Sequence, residues 1–169
     1  MYIIILYIKV CLEARIRKFY FAISSVLRFT YVGFEKLLCY VLVHKCLPIL
    51  MYGCDSCYIS LKTRDVLCKA WNNAFRRVYK LPKFTSTRHL FLDNNTMSLK
   101  FMLDKSRLCF LHNVRHSDNK LLRILECHSR LSGACKKQFD NYFVNTGMNV
   151  KQIVNLVNSA FRSYCAEQD

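Results

Sequence analysis

The sequence predicts an all-α protein, an irregular bundle of about five or six helices. The chain of 169 residues contains only 4 Gly and 2 Pro, too few for the turns of an all-β protein. Hydrophobic residues make up 53% of it, which is enough for a folded core. Apolar residues also recur at three- or four-residue spacing over most of its length.

The N-terminal half predicts two helices after an ambiguous start. Residues 1–10 are a short apolar run that can be an orphaned strand, a helix or a weak membrane anchor. Helical periodicity then covers 12–29 and 34–51. Pro48 lacks a backbone donor and should kink the second helix near residues 44–45, and Gly53 should end it.

Residues 61–81 form the best-defined amphipathic helix, and Pro82 stops it. A polar loop follows, with a turn at 94–96 and a short helix over 88–92 left open. Three further helices are predicted at 98–116, 118–141 and 150–166. We expect the helices at 34–52, 61–81 and 98–116 to form the central packing.

The positive charge of the chain is concentrated in its middle third. The formal net charge is +15, and residues 62–124 hold 14 basic and 4 acidic side chains, a net of +10. Such a field favours a polyanion, chiefly nucleic acid, with an anionic membrane surface as the lesser option. The plainer alternative is a solvated helical face that keeps the protein soluble.

Basic side chains along the helix at 61–81 and the loop after it are the candidate nucleic-acid-binding residues. A row of this kind can follow a phosphate backbone without reading sequence. The row comprises Lys69, Arg76, Arg77, Lys80, Lys83 and Arg88, and Lys100, Lys105, Arg107 and Arg115 can extend it. Tyr79 and Phe84 are aromatic neighbours able to stack on an unpaired base.

The cysteines and histidines do not predict a metal, a cofactor or a thiol enzyme. The chain has 10 Cys and lacks a convincing secretory signal, so we expect a reducing compartment and buried thiols. Cys54-x-x-Cys57 has the spacing of a zinc half-site, as do Cys109, His112 and His116. The two sets are too far apart in sequence for a short zinc motif, which separates its halves by roughly 12–20 residues.

The run Lys45-Cys46-Leu47-Pro48-Ile49-Leu50-Met51-Tyr52-Gly53, with the basic helix after it, resembles a segment of non-LTR (LINE-type) retrotransposon reverse transcriptases. In those enzymes it follows the polymerase palm and leads into the thumb. The resemblance begins near residue 17 and fades after about residue 125, and it departs from the family at Ser24-Ser25 and at Cys54 and Cys57. It implies a thumb-like region at 1–125 that grips primer–template nucleic acid, followed by a C-terminal helical extension at 126–169.

The resemblance also implies a catalytic centre of paired aspartates that hold two Mg²⁺ ions. No Asp-Asp pair occurs in the chain, and all its carboxylates are isolated. We therefore expect a truncated or degenerate, non-catalytic fragment of an RNA-directed DNA polymerase. Two alternatives stay open: an independent basic helical domain that binds RNA or DNA non-specifically, and a small membrane-associated protein.

Overall fold

A computed structural model describes residues 2–28, 33–55, 59–119 and 150–166, with the side chains of the first range described from Leu12 onward. Every regular element in these ranges is helical, which confirms the all-α prediction. The elements are α1 (Tyr2–Arg28), α2 (Glu35–Val41), a π-helical turn (Leu42–Cys46), α3 (Leu47–Met51), α4 (Leu61–Val78), α5 (Arg88–Asp93), α6 (Leu99–Arg115) and α7 (Val150–Ala166). With α2, the π turn and α3 counted as one interrupted helix, the described ranges hold six helices, as predicted.

The chain divides into two compact units. The first comprises Met1–Tyr52 and Ser60–Leu99, and the second comprises Gly53–Ile59 and Lys100–Asp169. The boundary expected between residues 125 and 126 lies outside the described residues and stays a prediction. The predicted helix at 118–141 lies almost wholly outside them as well.

The N-terminal apolar run is helical, so the alternative of an orphaned strand is wrong for residues 2–10. The helix α1 begins at Tyr2 rather than at the predicted Leu12. Neither Gly nor Pro occurs between Tyr2 and Arg28, so nothing in the sequence stops the helix from extending to its N-terminal end. Leu12, Phe19 and Ile23 are buried along this helix.

The predicted irregularity before Pro48 takes the form of a π-helical turn. Because Pro48 has no N–H group, the carbonyl of His44 has no donor four residues ahead. The backbone widens over Leu42–Cys46, where the Leu47 N–H donates to the carbonyl of Leu42, five residues back. Gly53, with φ of 67°, follows α3 as predicted.

The helix α4 is capped at both ends, and it ends earlier than predicted. At its start, the Thr63 N–H donates to Ser60 Oγ at 3.2 Å. At its end, the Leu81 N–H donates to the Arg76 carbonyl at 2.8 Å, and Lys80 adopts a left-handed φ of 52°. These features define a Schellman motif, so the helix stops at Val78 rather than at residue 81.

The short helix left open by the sequence is present as α5 and ends with the same motif. The Thr96 N–H donates to the Phe91 carbonyl at 2.8 Å, and Asn95 adopts a φ of 50°. The predicted turn at residues 94–96 is thereby confirmed. Residues 79–87 connect the capped C-terminal end of α4 to the start of α5.

Aromatic side chains form the core of the first unit. The Trp71 ring lies 6.3 Å from that of Phe19 and 5.1 Å from that of Phe75, and Phe75 lies 4.8 Å from Phe91 (centroid distances). All four side chains are at most 2% exposed, so α1, α4 and α5 share one packed core.

The central packing was therefore only partly predicted. The helix α1 packs against α3 and α4, a role that the sequence analysis did not give it. From Lys100 onward, α6 belongs to the second unit, so the predicted helix at 98–116 contributes only its first residues to the first unit.

The second unit contains the aromatic contacts of Phe101. Its ring lies 5.3 Å from that of Phe161 and 5.5 Å from that of Tyr164, both on α7. The bounds of α7 agree with the predicted helix at 150–166. Its buried residues repeat every four positions and form one stripe: Ile153, Val157, Phe161 and Cys165.

Replacing the only tryptophan tests the core of the first unit. We expect Trp71→Ala to lower the free energy of unfolding by about 3–5 kcal/mol, because a fully buried ring is removed. Trp71→Phe should cost less than about 2 kcal/mol, since it keeps an aromatic ring and removes a buried Nε1–H that has no partner among the described residues. Urea titrations followed by circular dichroism measure both values.

The matched control is Phe21→Ala. Phe21 lies on α1 but is 75% exposed, so its removal should change stability by no more than about 0.5 kcal/mol. Equal effects of Trp71→Ala and Phe21→Ala would contradict the packing described here.

Candidate nucleic-acid interface

The outer face of α4 carries a row of basic residues. Lys62, Lys69 and Arg76 recur every seven residues, which places them on one side of the helix, opposite the buried stripe. Successive members are about 10.5 Å apart along the axis, roughly the rise of three nucleotides of a B-form strand. Lys62 was missed in the sequence analysis, although its seven-residue spacing from Lys69 could have revealed it.

Arg76 holds the connection after α4 in place. It is half-buried, and its Nε donates to the Thr85 carbonyl at 2.9 Å. Its Nη1 donates to Asn73 Oδ1, also at 2.9 Å. Two nitrogens of this guanidinium are thus used within the chain, so Arg76 positions the connection more than it offers charge to a ligand.

The connection turns sharply at Lys83 and Phe84. The Thr85 N–H donates to the Pro82 carbonyl at 3.2 Å, which closes a β-turn with Lys83 and Phe84 at its two central positions. Phe84 is 92% exposed, and Lys83 Nζ lies 5.9 Å from its ring centroid. We refer to Pro82–Thr85 as the tip turn.

The other predicted cations of the first unit differ in their surroundings. Lys69 and Lys80 are exposed, and Arg88 is half-buried. Arg77 is exposed, and its Cζ lies 5.1 Å from the ring centroid of Tyr20 on α1, a cation–π contact. Residues 60–99 as a whole hold 8 basic and 2 acidic side chains, a net of +6, so the field around this part of the chain is positive.

Tyr79 does not share the exposure of Phe84. Its hydroxyl donates to Asn94 Oδ1 at 3.0 Å and also hydrogen-bonds the Cys39 side chain. Burial raises the pKa of Tyr79 above its ordinary value. Of the two aromatic residues predicted to stack on a base, Phe84 is therefore the accessible one.

The remaining predicted cations belong to the second unit. Lys100 and Arg107 are seven residues apart and share a face of α6, whereas Lys105 projects from another. Asp104 lies one turn from both Lys100 and Arg107, at the spacing of helix ion pairs. These three cations therefore do not form a single row, and the side chain of Arg115 lies outside the described residues.

Most of the described thiols are buried, which disfavours nucleophilic chemistry. Cys39, Cys46, Cys54 and Cys165 are buried, and Cys68 and Cys109 are partly exposed. Burial raises the pKa of the Cys39, Cys46 and Cys109 thiols, although Lys105 partly opposes the shift at Cys109. A raised pKa leaves less thiolate at neutral pH, and thiolate is the reactive form.

The two zinc half-sites considered in the sequence do not form a metal cluster in the described part of the chain. No group of three or more His, Cys, Asp or Glu there is placed to hold a metal ion, and Cys57 lies outside it. The rings of His112 and His116 instead stack, with centroids 4.1 Å apart, and His116 Nδ1 lies 2.9 Å from the His112 carbonyl.

No protein-family model, curated protein or solved structure matches the chain. In the ranges that the structure describes, no helix has the length and apolar character needed to cross a membrane. The candidate interface is therefore defined by the geometry of α4 and the tip turn.

Glycine substitutions at Lys80 and Asn95 test the two Schellman motifs, one with and one without the loss of a charge. A non-glycine residue in a left-handed conformation costs roughly 1–2 kcal/mol, so Lys80→Gly should raise the free energy of unfolding by about 1 kcal/mol. Asn95→Gly changes the equivalent position of the second motif without removing a charge, and should stabilise by less because Asn tolerates this conformation. Urea unfolding of both variants measures the effect, and a destabilised Lys80→Gly would contradict the assigned motif.

Proposed function

We propose that the first unit binds the phosphate backbone of nucleic acid without reading its sequence. The observation that carries this proposal is the set of exposed cations on α4, two of them on its outer face, and in the connection after it. Lys62, Lys69, Arg77, Lys80 and Lys83 are all exposed there, within one short stretch of chain. Such contacts displace counterions from the nucleic acid, so binding weakens steeply as salt is added.

We further propose that the chain is a truncated or degenerate, non-catalytic fragment of a LINE-type reverse transcriptase, whose ancestral role was to grip primer–template nucleic acid. The resemblance at Lys45–Gly53 supports this origin. The arrangement of a helix interrupted before Pro48 and followed by a basic amphipathic helix is consistent with it. Because the carboxylates of the chain are isolated in sequence, we do not expect it to polymerise DNA.

The genomic sequence upstream of the Met1 codon tests this origin. A reading frame there that encodes a polymerase palm with paired aspartates, intact or interrupted, would support it. An unrelated upstream sequence would favour an independent basic helical domain with the same binding activity.

The membrane alternative predicts a different ligand. Basic residues alone give attraction to anionic lipid of about 1 kcal/mol each near the surface. Full-length protein that sediments with anionic vesicles, but fails to bind an RNA–DNA hybrid at low ionic strength, would contradict nucleic-acid binding.

The salt dependence of binding tests the role of the lysines on α4. Each phosphate contact contributes about 0.9 to the slope of log K against log salt concentration. We expect the double variant Lys62→Ala/Lys69→Ala to reduce that slope by about 2 on an RNA–DNA hybrid. Fluorescence anisotropy of a labelled hybrid across a salt series measures it.

Lys36→Ala is the control for the single substitution Lys69→Ala, since Lys36 is an exposed lysine of the same unit on α2 and each change removes one charge. It should leave the slope unchanged. Equal reductions by single substitutions at Lys36 and Lys69 would mean that net charge, and not the face of α4, governs binding.

A further inference from the structure

The tip turn displays an exposed aromatic ring on a backbone that the fold holds in place. Phe84 is the most exposed of the large hydrophobic residues in the described ranges, at 92%. An exposed Phe loses favourable burial and adds nothing to the core, so the fold itself gives no reason for the ring at this place. A surface Phe on its own is ordinary, but Phe84 differs in the turn that holds it and in the lysines beside it.

Three constraints hold the tip turn against α4. The Schellman motif directs the chain back at Lys80 and Leu81. The ring of Pro82 fixes φ at the first position of the turn. Arg76 Nε then donates at 2.9 Å to the carbonyl of Thr85, the residue that follows Phe84. The ring is thus presented on a short, braced turn, so little backbone entropy remains to be lost when it binds.

The residues around the ring indicate the class of ligand. Lys80 and Lys83 are exposed on the same connection, and Lys83 Nζ lies 5.9 Å from the ring centroid. A base that stacks on Phe84 would bring its own phosphate close to these ammonium groups. Aromatic rings flanked by cations are the arrangement by which proteins hold unpaired bases without sequence preference.

We propose that the tip turn is a stacking site for an unpaired base, so that the chain prefers nucleic acid with a single-stranded segment over a continuous duplex. This inference rests on the proposed backbone binding by α4 and specifies its ligand. In a duplex the bases are already stacked and paired, so the Phe84 ring can stack on a base only at an end, a bulge or a single strand.

A membrane surface fits the same turn less well. Phe84 is the only large apolar side chain of the tip turn, Pro82–Thr85, and its neighbours in sequence are Lys83 and Thr85. A single Phe ring offers much less apolar surface than an acyl chain, and one acyl chain alone gives only marginal, reversible membrane binding. Stacking requires only the ring face, and is worth a substantial part of the binding free energy by itself.

The test compares two ligands with Phe84 variants of the full chain. The ligands are a single-stranded DNA of about 12 nucleotides and a fully paired duplex of two strands, which has no loop. Phe84→Ala should weaken binding to the single strand by roughly 5- to 150-fold, and change binding to the duplex by less than about twofold. Phe84→Trp should retain single-strand affinity, whereas Phe84→Leu, which is apolar without an aromatic face, should lose it.

Phe21→Ala is the control for loss of an exposed ring, since Phe21 is 75% exposed on α1. It should bind both ligands as the unchanged chain does. Because Phe84 is exposed, its variants should also keep the unfolding midpoint of the unchanged chain.

The failures of the two proposals are distinguishable. If Phe84→Ala binds the single strand normally while Lys62→Ala/Lys69→Ala loses affinity for both ligands, the stacking site is wrong and the backbone binding stands. If the unchanged chain binds neither ligand at low salt, both proposals fail. If Phe84→Leu binds the single strand as tightly as the unchanged chain, the contact is merely apolar and base stacking is wrong. Phe84-dependent binding to anionic vesicles alone would replace base stacking with a membrane contact.

Discussion

The packing of Trp71 is the constraint on which the first unit depends. The ring lies between Phe19 of α1 and Phe75 of its own helix, and Phe75 continues the contact to Phe91 of α5. A helix that buries one stripe so completely must turn its opposite stripe to solvent, because its residues repeat at 3.6 per turn. Lys62 and Lys69 therefore face solvent because Trp71 lies on the opposite, buried face of α4.

The same packing fixes where α4 ends and hence where the tip turn lies. Val78 is the last buried residue of the α4 stripe, and the left-handed Lys80 follows it by two positions. Asn95 occupies the equivalent place after α5, where Asn is one of the few side chains that tolerate this conformation well. Lysine has no such advantage, so its place at the first motif adds a positive charge at some cost to stability. That combination of strain and charge supports a role for Lys80 in binding.

Sequence periodicity predicted the helices whose ends carry their own local signals. The helix α7 and most of α6 were predicted almost to the residue, because apolar stripes and flanking polar segments agree there. Residues 2–10 were ambiguous, since a short β-branched apolar run fits a strand and a buried helix equally well. The end of α4 was predicted three residues late because Lys80 lacks the glycine that normally marks such a motif.

In the candidate site too, local features could be predicted from the sequence, whereas tertiary contacts could not. The basic character of α4 was evident from composition, and two of its exposed cations, Lys69 and Arg77, were among the predicted residues, whereas Lys62 was not. The role of Arg76 was not predictable, because its partner Thr85 approaches only after the connection has folded back. Nor could the sequence separate Phe84 from Tyr79, whose difference arises from the contact of Tyr79 with Asn94 across two helix ends.

The proposed binding surface and a polymerase catalytic centre differ in how many separate segments of chain they need. A two-metal centre requires carboxylates brought together from separate strands, so the loss of any one strand abolishes it. The proposed binding surface is built from residues 62–84, one helix and the turn that follows, braced by a core that lies within the first unit. Such a surface needs no distant segment to converge on it. Under the proposed origin, the grip on nucleic acid is therefore the ancestral property that a chain without paired aspartates is best able to keep.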